Sequence, residues 1–219
     1  MTARPLGYPG KRLLDLAIAV PAAIVLAPVM AVIGALVAWR MGRPVLFTQV
    51  RPGVHERPFT MHKFRTMRAA RDAEGRDLPD AARLTPLGRT LRTWSLDELP
   101  ELFDVIRGDM SLVGPRPLFT HYLPYYTEQE RARALVLPGI TGWAQVNGRN
   151  KVPWDRRLAM DVWYVEHRSL GLDLRILGRT IGQVVGRNDV EPDTNLIEPA
   201  LSWERRDAAR ATGVEGDLG

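Results

Sequence analysis

LAIAVPAAIVLAPVMAVIGALVAW, residues Leu16 to Trp39, holds no charged side chain. A straight helix of that length rises about 36 Å, enough to cross a hydrocarbon layer of roughly 30 Å. Three readings of the run compete. A cleaved signal peptide explains Lys11 and Arg12 just before it, but the run is too long and Asp15 interrupts its start. A single spanning helix is the second. The third is a re-entrant pair of helices that enters and leaves by one face. Pro21 and Pro28 favour it, since each removes a backbone donor and frees the carbonyl four residues earlier, at Ala17 and Ile24. Such breaks are tolerated in a membrane where other groups satisfy the freed backbone. The flanks favour it too. Arg4, Lys11 and Arg12 precede the run and Arg40, Arg43 and Arg51 follow it, whereas a spanning helix carries one basic and one depleted flank. With the break at Ala27-Pro28, the arm from Leu16 to Ala27 reaches about 18 Å, only part-way through the layer. Physics alone leaves re-entry and spanning level.

The rest of the chain is soluble in character. Its 219 residues suffice for one good core. The apolar share, 45%, and the charged share, 25%, are those of a folded globular chain, which excludes a mostly disordered one. Cysteine is absent, so disulfides, thiolate nucleophiles and zinc–thiolate sites are excluded. The net charge of +5 points to anionic partners. Lysine occurs only at Lys11, Lys63 and Lys151, and a coding preference for arginine accounts for that.

Outward from the apolar run, Pro44 to Val50 reads as a short strand closed by the turn Arg51-Pro52-Gly53, and Phe59 to Met67 as extended. Met67 to Arg83 reads as a loop or frayed helix. Ser95 to Ile106 predicts a helix stopped by Gly108. Asp109 to Pro117 is a Gly/Pro loop around a short apolar run. Thr127 and Glu130 have capping-box spacing for a helix reaching Leu135. Pro138 to Gly148 is rich in turns, with Trp143 to Val146 extended. Trp154 to His167 and Leu172 to Val185 are amphipathic helices. Periodicity fades beyond Arg187, and Ala208 to Gly219 reads as a loose tail. The expected organisation is an arm and membrane segment over 1–43, a catalytic domain over 44–187 and a tail over 188–219.

The chemistry concentrates at Ser95-Leu-Asp97-Glu98-Leu-Pro-Glu101. Capping explains these residues by itself: Ser95 as N-cap, Glu98 completing the box, and acids in the first turn facing the helix dipole. The same geometry also suits catalysis. A carboxylate at the positive end of a helix stays ionised, and an ionised Asp97 can attack phosphorus to form an acyl phosphate. Glu98 beside it would help hold Mg²⁺, which takes oxygen ligands and bridges to substrate phosphates. Cations suited to phosphate stand nearby: Lys63 and Arg65 on an extended run, Arg89 and Arg92 before the Ser95 helix, Arg116 in the rigid Gly114-Pro-Arg-Pro117 turn, and Arg149 after another turn. Most surface arginines are simply solvated; those fixed among Gly and Pro are harder to set aside. No P-loop, dinucleotide fingerprint or HExxH sequence occurs, the His residues at 55, 62, 121 and 167 lack metal-ligand spacing, and no nucleic-acid-binding signature accompanies the basic charge. Trp154, Trp163 and Tyr164 suit either membrane headgroups or an ordinary core.

Four stretches in order carry a resemblance: KRLLD at Lys11–Asp15, KFRTM at Lys63–Met67, DELPELFDVIRGDMSLVGPRP at Asp97–Pro117 and PGITGWAQVNGRN at Pro138–Asn150. Together they closely resemble the bacterial sugar transferases, or monotopic phosphoglycosyl transferases, over roughly Lys11 to Arg187. The resemblance implies an α+β, predominantly helical fold. It has an N-terminal re-entrant membrane helix, a small cytoplasmic catalytic domain and interfacial amphipathic helices, placed on the cytoplasmic face of a bacterial inner membrane. It implies the transfer of a sugar 1-phosphate from a UDP-sugar to a polyprenol phosphate, usually undecaprenyl phosphate, with UMP released, as a first membrane step of glycoconjugate assembly. Carried over, Asp97 is the nucleophile, Glu98 its partner, and the two hold Mg²⁺. Lys63, Arg92, Arg116 and Arg149 fall at basic positions that hold phosphates or nucleotide, and Asp161 at an acidic position of unassigned role. The family often has Ser before the mid-helix proline, whereas this chain has Ala27-Pro28, so what satisfies the backbone at Ile24 is open. The chain reads as the minimal catalytic form; a homodimer stays open.

Two other functions fit the composition. A membrane-bound nucleotide-sugar hydrolase would pass the phosphosugar from Asp97 to water and need no acceptor. A non-enzymatic basic membrane scaffold would survive loss of the acidic pair.

Overall fold

In a computed structural model of the chain, which describes residues 7–69, 74–76, 78–148, 152–186 and 201–205, the apolar run forms a single helix, α1 (Lys11–Met41). It is long and apolar enough to cross a membrane. Gly10 and Gly42, both at positive φ, bound it. Pro21 and Pro28 lie inside it, so the break expected at Ala27-Pro28 does not end the helix. The reason lies in the packing. Asp15, Ala19, Ala23, Met30, Ile33 and Val37 form one buried stripe, and both prolines sit on the opposite, exposed side. Each proline removes one donor from the exposed ladder, while contacts on the buried stripe continue on either side of the break.

That stripe meets two clusters. Ala19 and Ala23 pack with Met61, Leu102, Val105 and Met110. Met30, Ile33 and Val37 pack with Phe64 and Leu91. The helix therefore lies against the rest of the protein from end to end. Its outer face shows Leu13, Ile24, Val25, Val32 and Trp39, all more than half exposed.

An antiparallel hairpin follows, β1 (Leu46–Pro52) and β2 (Pro58–Phe64), with Leu46 opposite Phe64 and Pro52 opposite Pro58. The strand continues through Arg51-Pro52, so the chain reverses over Gly53–Arg57 rather than at the expected Arg51-Pro52-Gly53. Next come α2 (Asp80–Arg83) and α3 (Pro86–Thr93), the latter capped by Thr85, whose hydroxyl accepts from Gly88 N at 2.9 Å. A short 3₁₀ turn, Leu96–Glu98, precedes α4 (Glu101–Arg107), which Gly108 ends at φ 97°. The short strands β3 (Ser111–Val113) and β4 (Gly139–Thr141) pair in parallel. Between them lie a 3₁₀ segment at Thr120–Tyr125 and α5 (Glu128–Arg131), where the expected Thr127–Glu130 capping box is present. Trp143–Val146 is a helix, α6, not the expected extended run. Its backbone turns after Gly142 with Val146 N bonded to Gly142 O, which outweighs the aromatic and β-branched preference for strand.

The long helices α7 (Trp154–His167) and α8 (Leu170–Gly186) stand where their periodicity predicts. Trp154 and Tyr164 are core residues; Trp163 is part-exposed between Trp143 and His167. Residues 201–205 form a further helical turn with Leu201 fully buried, so ordered packing extends into the segment expected as tail.

A buried polar knot fixes α1 to this body. The fully buried Asp15 accepts from Ser111 Oγ at 3.0 Å and Leu112 N at 3.1 Å. Lys11 pairs with Asp15 at 3.3 Å and with Asp173 of α8 at 2.7 Å. Removing one partner strands the others in a dry interior. Asp15→Ala should therefore destabilise the protein by about 3 kcal/mol, read by denaturation in detergent. A change near zero would show that this knot does not hold the helix in place.

Candidate active site

Three unconnected stretches meet at the site. β2 brings Lys63. The turn after α3 brings Asp97 and Glu98. The loop after β3 brings Arg116. Each local geometry has a sequence cause. Ser95 takes a left-handed conformation, φ 52°, which turns the chain sharply between α3 and the 3₁₀ turn. Gly114 lies under the backbone that leads into β4: a Cβ there would stand 2.4 Å from Leu137 O, which only glycine avoids. The prolines beside Arg116 then hold it at the mouth of the turn.

This corrects the capping reading. Ser95 makes no side-chain cap, and the α-helix begins at Glu101, after Pro100. Asp97 thus sits in a 3₁₀ turn rather than in the first turn of an α-helix, and no helix dipole holds it ionised. Burial pushes its carboxyl up from the ordinary value, as does Glu98, while Lys63, Arg92 and Arg116 pull the other way. It is 8% exposed and accepts no side-chain hydrogen bond among the described residues.

Glu98 differs sharply. Lys63 Nζ and Arg116 Nη2 each donate to its Oε1 at 2.7 Å. Burial opposes its ionisation, but the two cations outweigh it and hold the carboxyl well below the usual range. Lys63 also pairs with Glu101 at 3.1 Å. Arg92, on α3, donates from Nε to Thr66 Oγ1 at 3.1 Å and adds its charge near Asp97.

Of the residues expected at the site, then, Asp97, Glu98, Lys63, Arg92 and Arg116 come together. Asp161 stands apart. It is buried on α7 and pairs with Arg133 at 2.8 Å. Arg133 in turn donates to Arg116 O at 2.6 Å and to Tyr126 Oη at 3.0 Å. Asp161 therefore reaches the site only through the backbone of the Gly-Pro-Arg-Pro turn. Arg149 lies outside the described residues, as does Asn150.

Sequence reasoning gave Glu101 no role of its own. Its spacing of three from Glu98 puts both on one face, which was the available signal. Asp104 was passed over as well: fully buried, it accepts from His62 N at 3.0 Å and locks β2 to α4.

Such a group sets two cations of a kind suited to phosphate beside a carboxylate that has no hydrogen-bonding partner among the described residues. The chain matches the bacterial sugar transferase family over residues 7–187. The chain belongs to the bacterial sugar transferases. A Bacillus subtilis protein named as an uncharacterised sugar transferase, EpsL, is 51% identical over 85% of this chain and 92% of its own length. The undecaprenyl-phosphate galactose phosphotransferase of Salmonella typhimurium is 37% identical over 82% of this chain, which spans 41% of that protein. The UDP-glucose:undecaprenyl-phosphate glucose-1-phosphate transferase of Xanthomonas campestris is 41% identical over 81% of this chain and 39% of its own length. This sugar transferase is an enzyme, and its Asp97–Glu98 pair lies inside the matched region.

Glu101 offers a direct test of the site's electrostatics. Burial first, and Glu98 second, push its carboxyl up to about 7. A carboxyl raised on folding binds more protons in the folded state, so stability declines as pH rises from the ordinary 4.5 toward about 7. Glu101→Gln cannot ionise. Its melting temperature should gain on the wild type across that window and level off above it. A difference that stays flat from roughly pH 4 to pH 8 would remove Glu101 from this electrostatic group.

Proposed function

We propose that this sugar transferase moves a sugar 1-phosphate from a UDP-sugar to a polyprenol phosphate, undecaprenyl phosphate in keeping with its named relatives, and releases UMP. The observation that carries the reading is the pairing of two adjacent carboxylates in opposite states. Glu98 is neutralised by Lys63 and Arg116, while Asp97 stands beside it without a hydrogen-bonding partner among the described residues.

An unpartnered, desolvated carboxylate is the better nucleophile. Asp97 attacks the β-phosphorus of the UDP-sugar. A bond forms between its oxygen and phosphorus, and the bridging oxygen leaves with UMP. A phosphate oxygen of the polyprenol phosphate then attacks the same phosphorus, which frees Asp97 and leaves the sugar on a lipid diphosphate. Arg116 and Lys63 offset charge on the transferring phosphoryl group, and Arg92 adds to the field. The donor set also suits Mg²⁺. Asp97 and Glu98 are hard oxygen donors, and neither cation hydrogen-bonds Glu98 Oε2. Among the described residues no group of three or more acidic or histidine side chains is placed to hold a metal, so substrate phosphate and water would complete its shell. Bound there, the ion would act as a Lewis acid on the phosphoryl oxygens.

The membrane arrangement belongs to the same reading. Arg12 donates to Val105 O at 2.6 Å and Ile106 O at 2.7 Å, and Arg65 binds the Met41 and Gly42 carbonyls. Both ends of α1 are thus tied to one catalytic body. This supports a monotopic enzyme on the cytoplasmic face, its outer apolar side in the lipid and its basic flanks toward acidic headgroups.

Without lipid acceptor, the wild type should release about one UMP per active site and stall, with the added mass on the peptide containing Asp97. Asp97→Asn should keep its fold and lose several orders of magnitude in rate. Continued UMP release without acceptor would mean hydrolysis instead, and a fully active Asp97→Asn would end the covalent mechanism. For topology, single cysteines at Thr2 and Thr48, in a chain with none of its own, should both escape an impermeant label on intact cells. Labelling at position 2 alone would mean that α1 spans.

A further inference from the structure

We infer that Arg51 is a second phosphate-binding arginine of this site, set opposite Arg116 and held in place by Gln49. The inference rests on the reading of the substrates as phosphate esters and deepens it.

Arg51 stands near the end of β1, opposite Phe59 in the hairpin. The strand's last residue, Pro52, and Gly53 line a cleft together with Pro115, Arg116 and Pro117, so the hairpin end and the Gly-Pro-Arg-Pro turn face each other. The guanidinium lies 3.9 Å from the ring centroid of Phe119, two residues beyond that turn. Its Nη2 donates to Gln49 Oε1 at 2.6 Å. Its Nε is buried and has no acceptor.

The neighbouring arginines are all matched to carboxylates. Arg116 meets Glu98 at 2.7 Å, Arg131 meets Glu56 at 2.5 Å and Arg133 meets Asp161 at 2.8 Å. Among the described residues, Arg51 has no carboxylate within ion-pair reach. Burial and the charge of Arg116 push its guanidinium down to about 10, which still leaves it cationic at neutral pH.

A part-buried cation that no carboxylate contacts, with Glu101 acting on it only from farther off, is costly unless an anion returns what desolvation takes. Here the plane of the fork is fixed by an aromatic face on one side and an amide on the other, so little further ordering is needed to take two phosphoryl oxygens. Arg116 lines the cleft, Arg51 directly precedes the Pro52 and Gly53 that line it, and the two guanidiniums are close enough to repel one another, so an anion that settles on Arg116 also meets the charge of Arg51. The nucleotide diphosphate and the lipid phosphate share that chemistry, and binding measurements separate them.

The nucleotide arm uses UDP titrated calorimetrically into the Asp97→Asn enzyme, so that no turnover intrudes. Adding Arg51→Met should weaken UDP by roughly tenfold or more, and Arg51→Lys should recover only part of the loss, since a point charge cannot replace the fork. Gln49→Leu should weaken UDP in the same direction by less. The lipid arm uses the enzyme with Asp97 intact: a rise in KM for polyprenol phosphate of similar size, with UDP binding unchanged, would assign Arg51 to the acceptor and also support the inference. Unchanged UDP affinity and unchanged lipid KM in both Arg51 variants would overturn it. So would a fall in melting temperature alone, which would leave Arg51 as a packing residue on Phe119. Because the UDP arm reads binding only, it stands whether or not Asp97 forms an adduct.

Discussion

Glu98 accepts hydrogen bonds from two cations that lie far apart along the chain. Lys63 comes from a hairpin and Arg116 from the loop between two parallel strands. An ion triad that is only partly open to water holds best when every member is positioned by its own surroundings. Much of the fold supplies that positioning. Asp104 fixes β2 on α4 through His62, which places Lys63. Arg133, held by Asp161 and Tyr126, fixes the carbonyl of Arg116. The close approach of Gly114 to Leu137 sets the turn that carries the guanidinium.

The triad also divides the labour between neighbouring carboxylates. With both cations drawn to Glu98, Asp97 keeps its oxygens free in a poorly solvated place. Two acids adjacent in sequence thereby reach opposite electrostatic states, as buried acid pairs do when one captures the counter-charge. Glu101, sharing Lys63, adds a third acid whose burial and proximity to Glu98 keep it near neutrality's edge. For a reaction that brings in phosphates, the charge of such a site has to be held ready without collapsing onto itself. Pairing one acid and leaving the other open does this.

The same body carries the apolar helix. Lys11, Asp15 and Asp173 bury charge where α1 meets α8 and β3, and Arg65 closes over the helix's far end. A helix that packs with the catalytic core through Ala19, Ala23, Met30 and Val37 cannot move without the site. The apolar helix and the candidate site are packed into one body, which suits the proposed use of an acceptor phosphate presented at a lipid surface.

Local sequence determined much of this. The apolar run, the amphipathic α7 and α8, the Thr127 cap and the stop at Gly108 follow from periodicity and capping, which act within a few residues. The motif residues Asp97, Glu98, Lys63, Arg92 and Arg116 were likewise legible as one group, and the fold brings them together. Tertiary structure decided what depends on distant neighbours. Packing on the buried stripe carried α1 through Pro28, and a left-handed Ser95 replaced the expected N-cap, so burial rather than a dipole sets Asp97. Asp161 proved to pair with Arg133, because a buried carboxylate must take whichever cation the fold brings to it. Arg51 reads in sequence as a flanking charge, whereas the fold lays it over Phe119 and against Gln49. Spacing along a chain reports helices and turns, but which charges meet out of water is fixed only when the chain has closed around them.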